Sequence, residues 1–193
     1  MRMFLKHSLF KRLLKKDTEK GGILMANDGE GYYLEGSWWR AYIDKNTMDK
    51  ETKSILIGIS GTFPNEQAFR AYKEISQYEF KDPGEIQVYK ETPEDCLELK
   101  DTRLEIVTQY NDLHLYEVKG KRKIIAIDRQ ITEMLNRKTA RDTEDDYPEK
   151  PVIFPDRNEI CWCSDKMIFS CMRAELGAEE QIKLIEHLEN FDF

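Results

Sequence analysis

YYLEGSWWRAYID, residues 32–44, sets five aromatic side chains within thirteen positions, with Leu34 and Ile43 beside them. Aromatic and β-branched residues favour a pleated, half-buried backbone, so the stretch reads as a strand. SILIGIS at 54–60 is apolar at both alternating positions, as a central strand would be. The polar DKNTMDKETK between them reads as the connection of a hairpin. Pro64 then offers a first-turn residue, and Ala68, Phe69, Tyr72 and Ile75 share one face of a helix over 65–80.

Working outward, strands near 85–90, 103–110, 113–119 and 123–127 lead into a helix over 129–140 that carries Ile131, Met134 and Leu135. PVIF at 151–154, EICWC at 159–163 and KMIFSCM at 166–172 precede a last helix with Leu184, Ile185, Leu188 and Phe191. Successive strand-strand-helix units favour an α+β fold: a mostly antiparallel sheet with about three helices packed against one face. The 193 residues are 40% hydrophobic, enough for a substantial core, and no Pro/Gly/Ser linker divides them. Residues 25–193 therefore read as a single acidic domain.

The net charge of −7 is unevenly spread. Residues 1–20 hold seven bases and two acids, and the remainder holds 23 bases against 35 acids. Leu5, Leu9, Phe10, Leu13 and Leu14 recur at helical spacing, so residues 1–24 form a basic amphipathic helix. It would dock on its own domain, or touch an anionic membrane, nucleic acid or an acidic groove. In a third reading it is a translated leader: Lys20-Gly21-Gly22 is codable by a ribosome-binding purine run, which places the native start at Met25. No apolar run approaches the roughly 18 residues needed to span a bilayer, and no secretory signal is read. Four cysteines (Cys96, Cys161, Cys163, Cys171) are too few for a disulfide framework. The expected location is cytoplasmic.

An enzymatic alternative rests on LHLYEVKGKRK. Glu117 and Lys119 would share a strand face, with Asp112 upstream, loosely similar to the Asp…Glu-x-Lys core of divalent-metal-dependent nucleases. Asp101 is a second candidate for the upstream acid. Acid-x-Lys occurs four times in this chain, and chance placement of 37 acids yields roughly that many. Cys161 and Cys163, with Cys171 from a neighbouring strand, fall short of the four ligands of zinc, and buried thiols are the simpler reading. GISG around Ser60 lacks the last glycine of a nucleophile elbow, and GISGTFPNEQ lacks the endings of a phosphate-binding loop. The basic turn Lys119, Lys121, Arg122 and Lys123 reads as a solvated hairpin end. No metal or cofactor is called for.

The favoured expectation is a non-catalytic binding protein. Asp142, Glu144, Asp145 and Asp146 in the polar loop RDTEDDYPEKP would meet the lysines and arginines of a basic protein surface, such as the nucleic-acid groove of an enzyme. Trp38 or Trp39 with Tyr42 would anchor the contact, since Trp, Tyr and Arg are enriched at interface centres. A field of this sign repels nucleic acid, so no direct nucleic-acid contact is expected. Bacterial immunity proteins and phage-encoded inhibitors of nucleases or CRISPR effectors share this physical style, an analogy of charge and not of motif.

Overall fold

Ahead of the first strand lies helix α1 (His7–Thr18), whose Phe10, Leu13 and Leu14 are buried while Lys11, Arg12, Lys15 and Lys16 face water. The computed structural model describes residues 4–64, 68–73, 79–81, 95–107, 109, 111–135, 150–154, 157–164 and 167–189. Among them, three antiparallel meanders are each closed by a helix. The first is β1 (Ile23–Asn27), β2 (Gly31–Glu35) and β3 (Trp39–Asp44), followed by α2 (Lys50–Ser60). After β4 (Ala68–Ala71) and β5 (Glu79–Lys81) comes the second: β6 (Leu97–Val107), β7 (Asp112–Val118) and β8 (Ile124–Asp128), followed by α3 (Arg129–Met134). The third is β9 (Val152–Ile153), β10 (Glu159–Ser164) and β11 (Met167–Met172), followed by α4 (Ala178–Glu189).

The meanders join edge to edge in an eleven-stranded sheet of order β5-β4-β1-β2-β3-β11-β10-β9-β6-β7-β8. All pairings are antiparallel, which establishes the α+β class. β3 meets β11 over five partner pairs, but β9 meets β6 over only two. A bridge between Ala126 and Ala174 ties the chain leaving β11 to β8.

Strand alternation sorts the side chains onto two faces. Ile23, Met25, Leu34, Trp39, Ile43, Phe169, Trp162, Val118 and Ile127 all point into one core, against Phe10 and Leu14 of α1, Leu56 of α2 and Ile131 of α3. Phe4 and Leu5 belong to the same core, and Met25 lies inside β1 with no exposed surface. The opposite face carries smaller clusters, and α4 packs there through Leu184 and Ile185 on Leu115, Ile124 and Ala126. Helices thus cover both faces and not one. None of the helices among the described residues is long and apolar enough to cross a membrane.

Two sequence expectations are overturned. Residues 54–60 are helical, because Asp49 caps the start by accepting from the Thr52 N–H at 2.7 Å, and Gly61 ends it at φ +73°. Thr52, Ile55, Leu56 and Ser60 form the buried stripe, while Ile57 is 47% exposed. An apolar run of seven has no period of its own, and the caps decide. Conversely, residues 68–71 are extended. The open side of β1 takes Phe69, Arg70 and Ala71 as partners of Met25, Leu24 and Ile23, and pairing there buries Ala68 and Phe69 on opposite faces. The helix expected over 129–140 is α3, described through 134 with Leu135 extended after it. The strand expected at 85–90 lies outside the described residues.

One buried acid ties α1 to this sheet. Asp17, 1% exposed, accepts from the Trp39 indole N–H and from the Ser37 hydroxyl at 3.1 Å. Its main-chain carbonyl accepts the amides of Lys20, Gly21 and Gly22. A Cβ on Gly36 would collide with both the indole nitrogen and this carboxylate, so the β2–β3 turn requires glycine there. We expect Asp17→Ala to leave a buried indole N–H unpartnered and cost about 1–3 kcal/mol, read as a lower urea midpoint at unchanged slope.

Asp49 also receives the His7 ring nitrogen at 3.0 Å, joining α1 to α2. Burial pushes its carboxyl up, but the Thr52 and His7 hydrogen bonds outweigh this and hold it below the usual aspartate range. A depressed carboxyl stabilises the fold above its unfolded pKa and loses that contribution as pH falls through the folded value. The stability gap between wild type and Asp49→Ala, about 1 kcal/mol at neutral pH, should therefore shrink under acid titration followed by circular dichroism.

Candidate binding cavity beneath the last helix

The register of β6 on β7 breaks between Asp101 and Glu105, and Arg103 in the break sits at φ +60°. Left-handed backbone is unfavourable for a residue with a Cβ, so side chains must hold it. Asp101 accepts the Arg103 amide at 2.8 Å, and the Thr102 hydroxyl donates to the Leu115 carbonyl at 2.7 Å while receiving the Leu104 amide at 3.2 Å. The same Asp101 oxygen, Oδ1, also lies 2.7 Å from His114 Nε2. His114 Nδ1 lies 3.7 Å from Glu105, which also binds Arg129 at 3.0 Å. Glu133 at 2.8 Å and Asp112 at 3.8 Å complete the surroundings of Arg129. The Glu133 hydrogen bond, with the charge of Glu105, raises the Arg129 pKa further.

This bulge forms one wall of a cavity of about 670 Å³ between the outer face of the β6–β8 meander and α4. Leu104, Ile124 and Ile185 give it an apolar lining, while Lys100, Arg103, Arg122 and Lys123 bring four cations to it. Facing them is Glu117, the register partner of Lys100. Lys123 is held below the ordinary lysine range, first by burial and then by repulsion from Arg173 and Lys121. The Arg173 Nε is buried without a hydrogen-bond partner. A bulge that re-aims side chains beside a concavity is a recurrent way to build a ligand site.

With Asp112 as its upstream acid the nuclease constellation is not assembled, whereas the second candidate, Asp101, lines the same cavity as Glu117. Asp112 and Glu117 stand five residues apart on a strand paired regularly with β8, hence on opposite faces and roughly 17 Å apart at about 3.4 Å per residue. Lys119 Nζ is bound to Glu98 at 2.6 Å. The strand expected near 123–127 is β8. Of the basic turn before it, Lys119, Lys121 and Arg122 are exposed, as at a solvated hairpin end, and Arg122 and Lys123 border the cavity.

Trp39 is 1% exposed, between Phe10 at 5.8 Å and Phe169 at 6.1 Å, and Trp38 rests partly buried on the same core. Both rest on this core because Trp38 precedes β3, at the turn, and does not follow the strand's alternation. Tyr42 is half-buried against the cluster of Phe154, Cys161, Cys163 and Ile168. Arg40 is engaged by Glu35 at 3.3 Å and Glu159 at 3.7 Å. Asp142, Glu144, Asp145 and Asp146 lie outside the described residues.

Ser60 ends α2 instead of preceding a helix, so the GISG segment presents helix carbonyls and offers an anion nothing. Cys161 and Cys163 share one face at 3.3 Å, but Cys171 points into the main core on the other. Among the described residues, no group of three or more His, Cys, Asp or Glu side chains could hold a metal. Burial pushes the Cys171 thiol up, and the Cys163 hydrogen bond followed by burial does so for Cys161. The Cys96 thiol is also raised, by burial first, but is half-exposed. Thiol labelling of the native protein should therefore modify Cys96 alone and slowly, with Cys161, Cys163 and Cys171 reacting only in denaturant; rapid native labelling of Cys171 would contradict this packing.

No family model and no curated protein matches this chain. Among solved structures it is similar to the beta subunit from DNA polymerase of Streptococcus pyogenes, at a TM-score of 0.40 and 10% identity. A second is the DNA polymerase III beta chain of Streptococcus pneumoniae, at 0.39 and 13%. Each alignment covers 93% of this chain and 66% of the other. Likeness at this level is too distant to carry over a residue role or an activity.

Proposed function

We propose that this chain is a non-catalytic, acidic, cytoplasmic binding protein that masks a basic surface of a macromolecular partner, in the manner of an inhibitor or immunity protein. The supporting observation is the outer side of α4. Ile182 is 56% exposed there, and Glu179, Glu180 and Glu186 are exposed around it. An exposed apolar side chain on a helix whose exposed charges are mostly acidic, with Lys183 among them, has the form of an interface anchor within a charged rim. Trp38 and Tyr42 are further contact residues in this reading, and Asp142, Glu144, Asp145 and Asp146 would extend the acidic field.

Such a surface acts by charge complementarity with lysines and arginines that otherwise face phosphates, so nucleic acid and this protein would compete for the partner. The test is affinity capture from the native host with wild type and with Glu179→Lys/Glu186→Lys, at low and moderate salt. We expect the double variant to slow association with the captured partner by about tenfold. Wild-type binding should weaken as the ionic strength shortens the screening length. Capture indifferent to both salt and charge reversal would refute the mechanism.

A further inference from the structure

We propose that the cavity between α4 and the β6 bulge binds a small organic phosphate: a molecule with an apolar or aromatic body and at least two negative charges. This goes beyond masking a basic partner and uses a different surface. The volume of about 670 Å³ lies within the roughly 300–1,000 Å³ range of small-molecule sites. Leu104, Ile124 and Ile185 supply the apolar contact for the ligand body.

Charge selects the phosphate. Lys100, Arg103, Arg122 and Lys123 face Glu117 and Asp101, which leaves an excess of two positive charges. Arg173 and Lys121 lie close enough to repel Lys123, and the bulge carboxylate is already committed to His114 and the Arg103 amide. A monocarboxylate would neutralise half of that excess. A phosphate monoester or diphosphate matches it and suits the forked donors of two guanidinium groups. Glu117 is the single exposed acceptor at the site and would take a hydroxyl or amino hydrogen from the ligand body. An extended polyanion fits less well, because the same helix that roofs the cavity turns Glu179, Glu180 and Glu186 outward and repels a phosphate backbone running past it.

Titration calorimetry of the full chain with ADP, pyrophosphate, decanoate and an oligodeoxythymidine tests this. ADP should saturate one site and bind about tenfold tighter than pyrophosphate or decanoate, since it alone meets both the charge and the apolar lining. Lys100→Gln/Arg122→Gln should lower ADP affinity about tenfold without shifting the melting temperature, both side chains being exposed. Arg122→Ala alone should give a smaller loss, and hydrogen exchange should show ADP protecting residues 100–104 and 122–124. Absence of saturable ADP binding, ADP affinity unchanged in both variants, or decanoate binding as tightly as ADP would overturn the assignment. Oligodeoxythymidine binding tighter than ADP and lost in the same variants would overturn it too, giving the cations to nucleic acid instead.

Discussion

The carboxyl group of Asp17 is buried at the end of a helix whose outer face is basic, and much of the fold is organised by the need to satisfy it. Removing a polar side chain from water is unfavourable unless hydrogen-bond partners replace the lost solvation. Here the donors are the Trp39 indole and the Ser37 hydroxyl, both from the turn and strand that follow β2. The bond therefore fixes where α1 lies on the sheet. It also fixes the indole, whose ring contacts Phe10 of α1 and Phe169 of β11. One hydrogen bond thus links the first helix, the first meander and the third, and it demands the bare backbone of Gly36.

A second constraint operates at β6, the strand shared by the short β9 junction and the long pairing with β7. A regular strand of eleven residues would carry one face through unchanged. The break at 101–105 re-aims it, and an arginine in left-handed backbone is held there by Asp101 and Thr102. The histidine and carboxylates gathered behind the break belong to its support. In front, the same residues shape the cavity, so its geometry and the strain of the strand have a common origin.

α4 separates two electrostatic environments. Ile185 faces inward to an apolar space with four cations at its edge, while glutamates and Ile182 face solvent. The overall charge of −7 conceals this arrangement. A whole-chain sum describes long-range steering, but a bound molecule experiences the handful of groups within a Debye length of it.

Composition and periodicity alone determined the α+β class, the antiparallel strands around 103–127 and 159–172, the amphipathic first helix and the last one, because each buries a face whose period shows in the residues. Tertiary structure decided the rest. SILIGIS carries no period, and its helical state comes from Asp49 and Gly61 at its ends. AFRA has helical spacing but is claimed by the unpaired side of β1. Glu117 and Lys119 share a legible motif, yet strand parity turns Asp112 away from Glu117, while Lys100, Arg103, Arg122 and Ile185 meet across two turns and a helix that no local pattern connects. Local sequence specifies which face of an element is apolar; which elements meet is set by the packing of those faces against one another, and a site assembled from several of them exists only once that packing is complete.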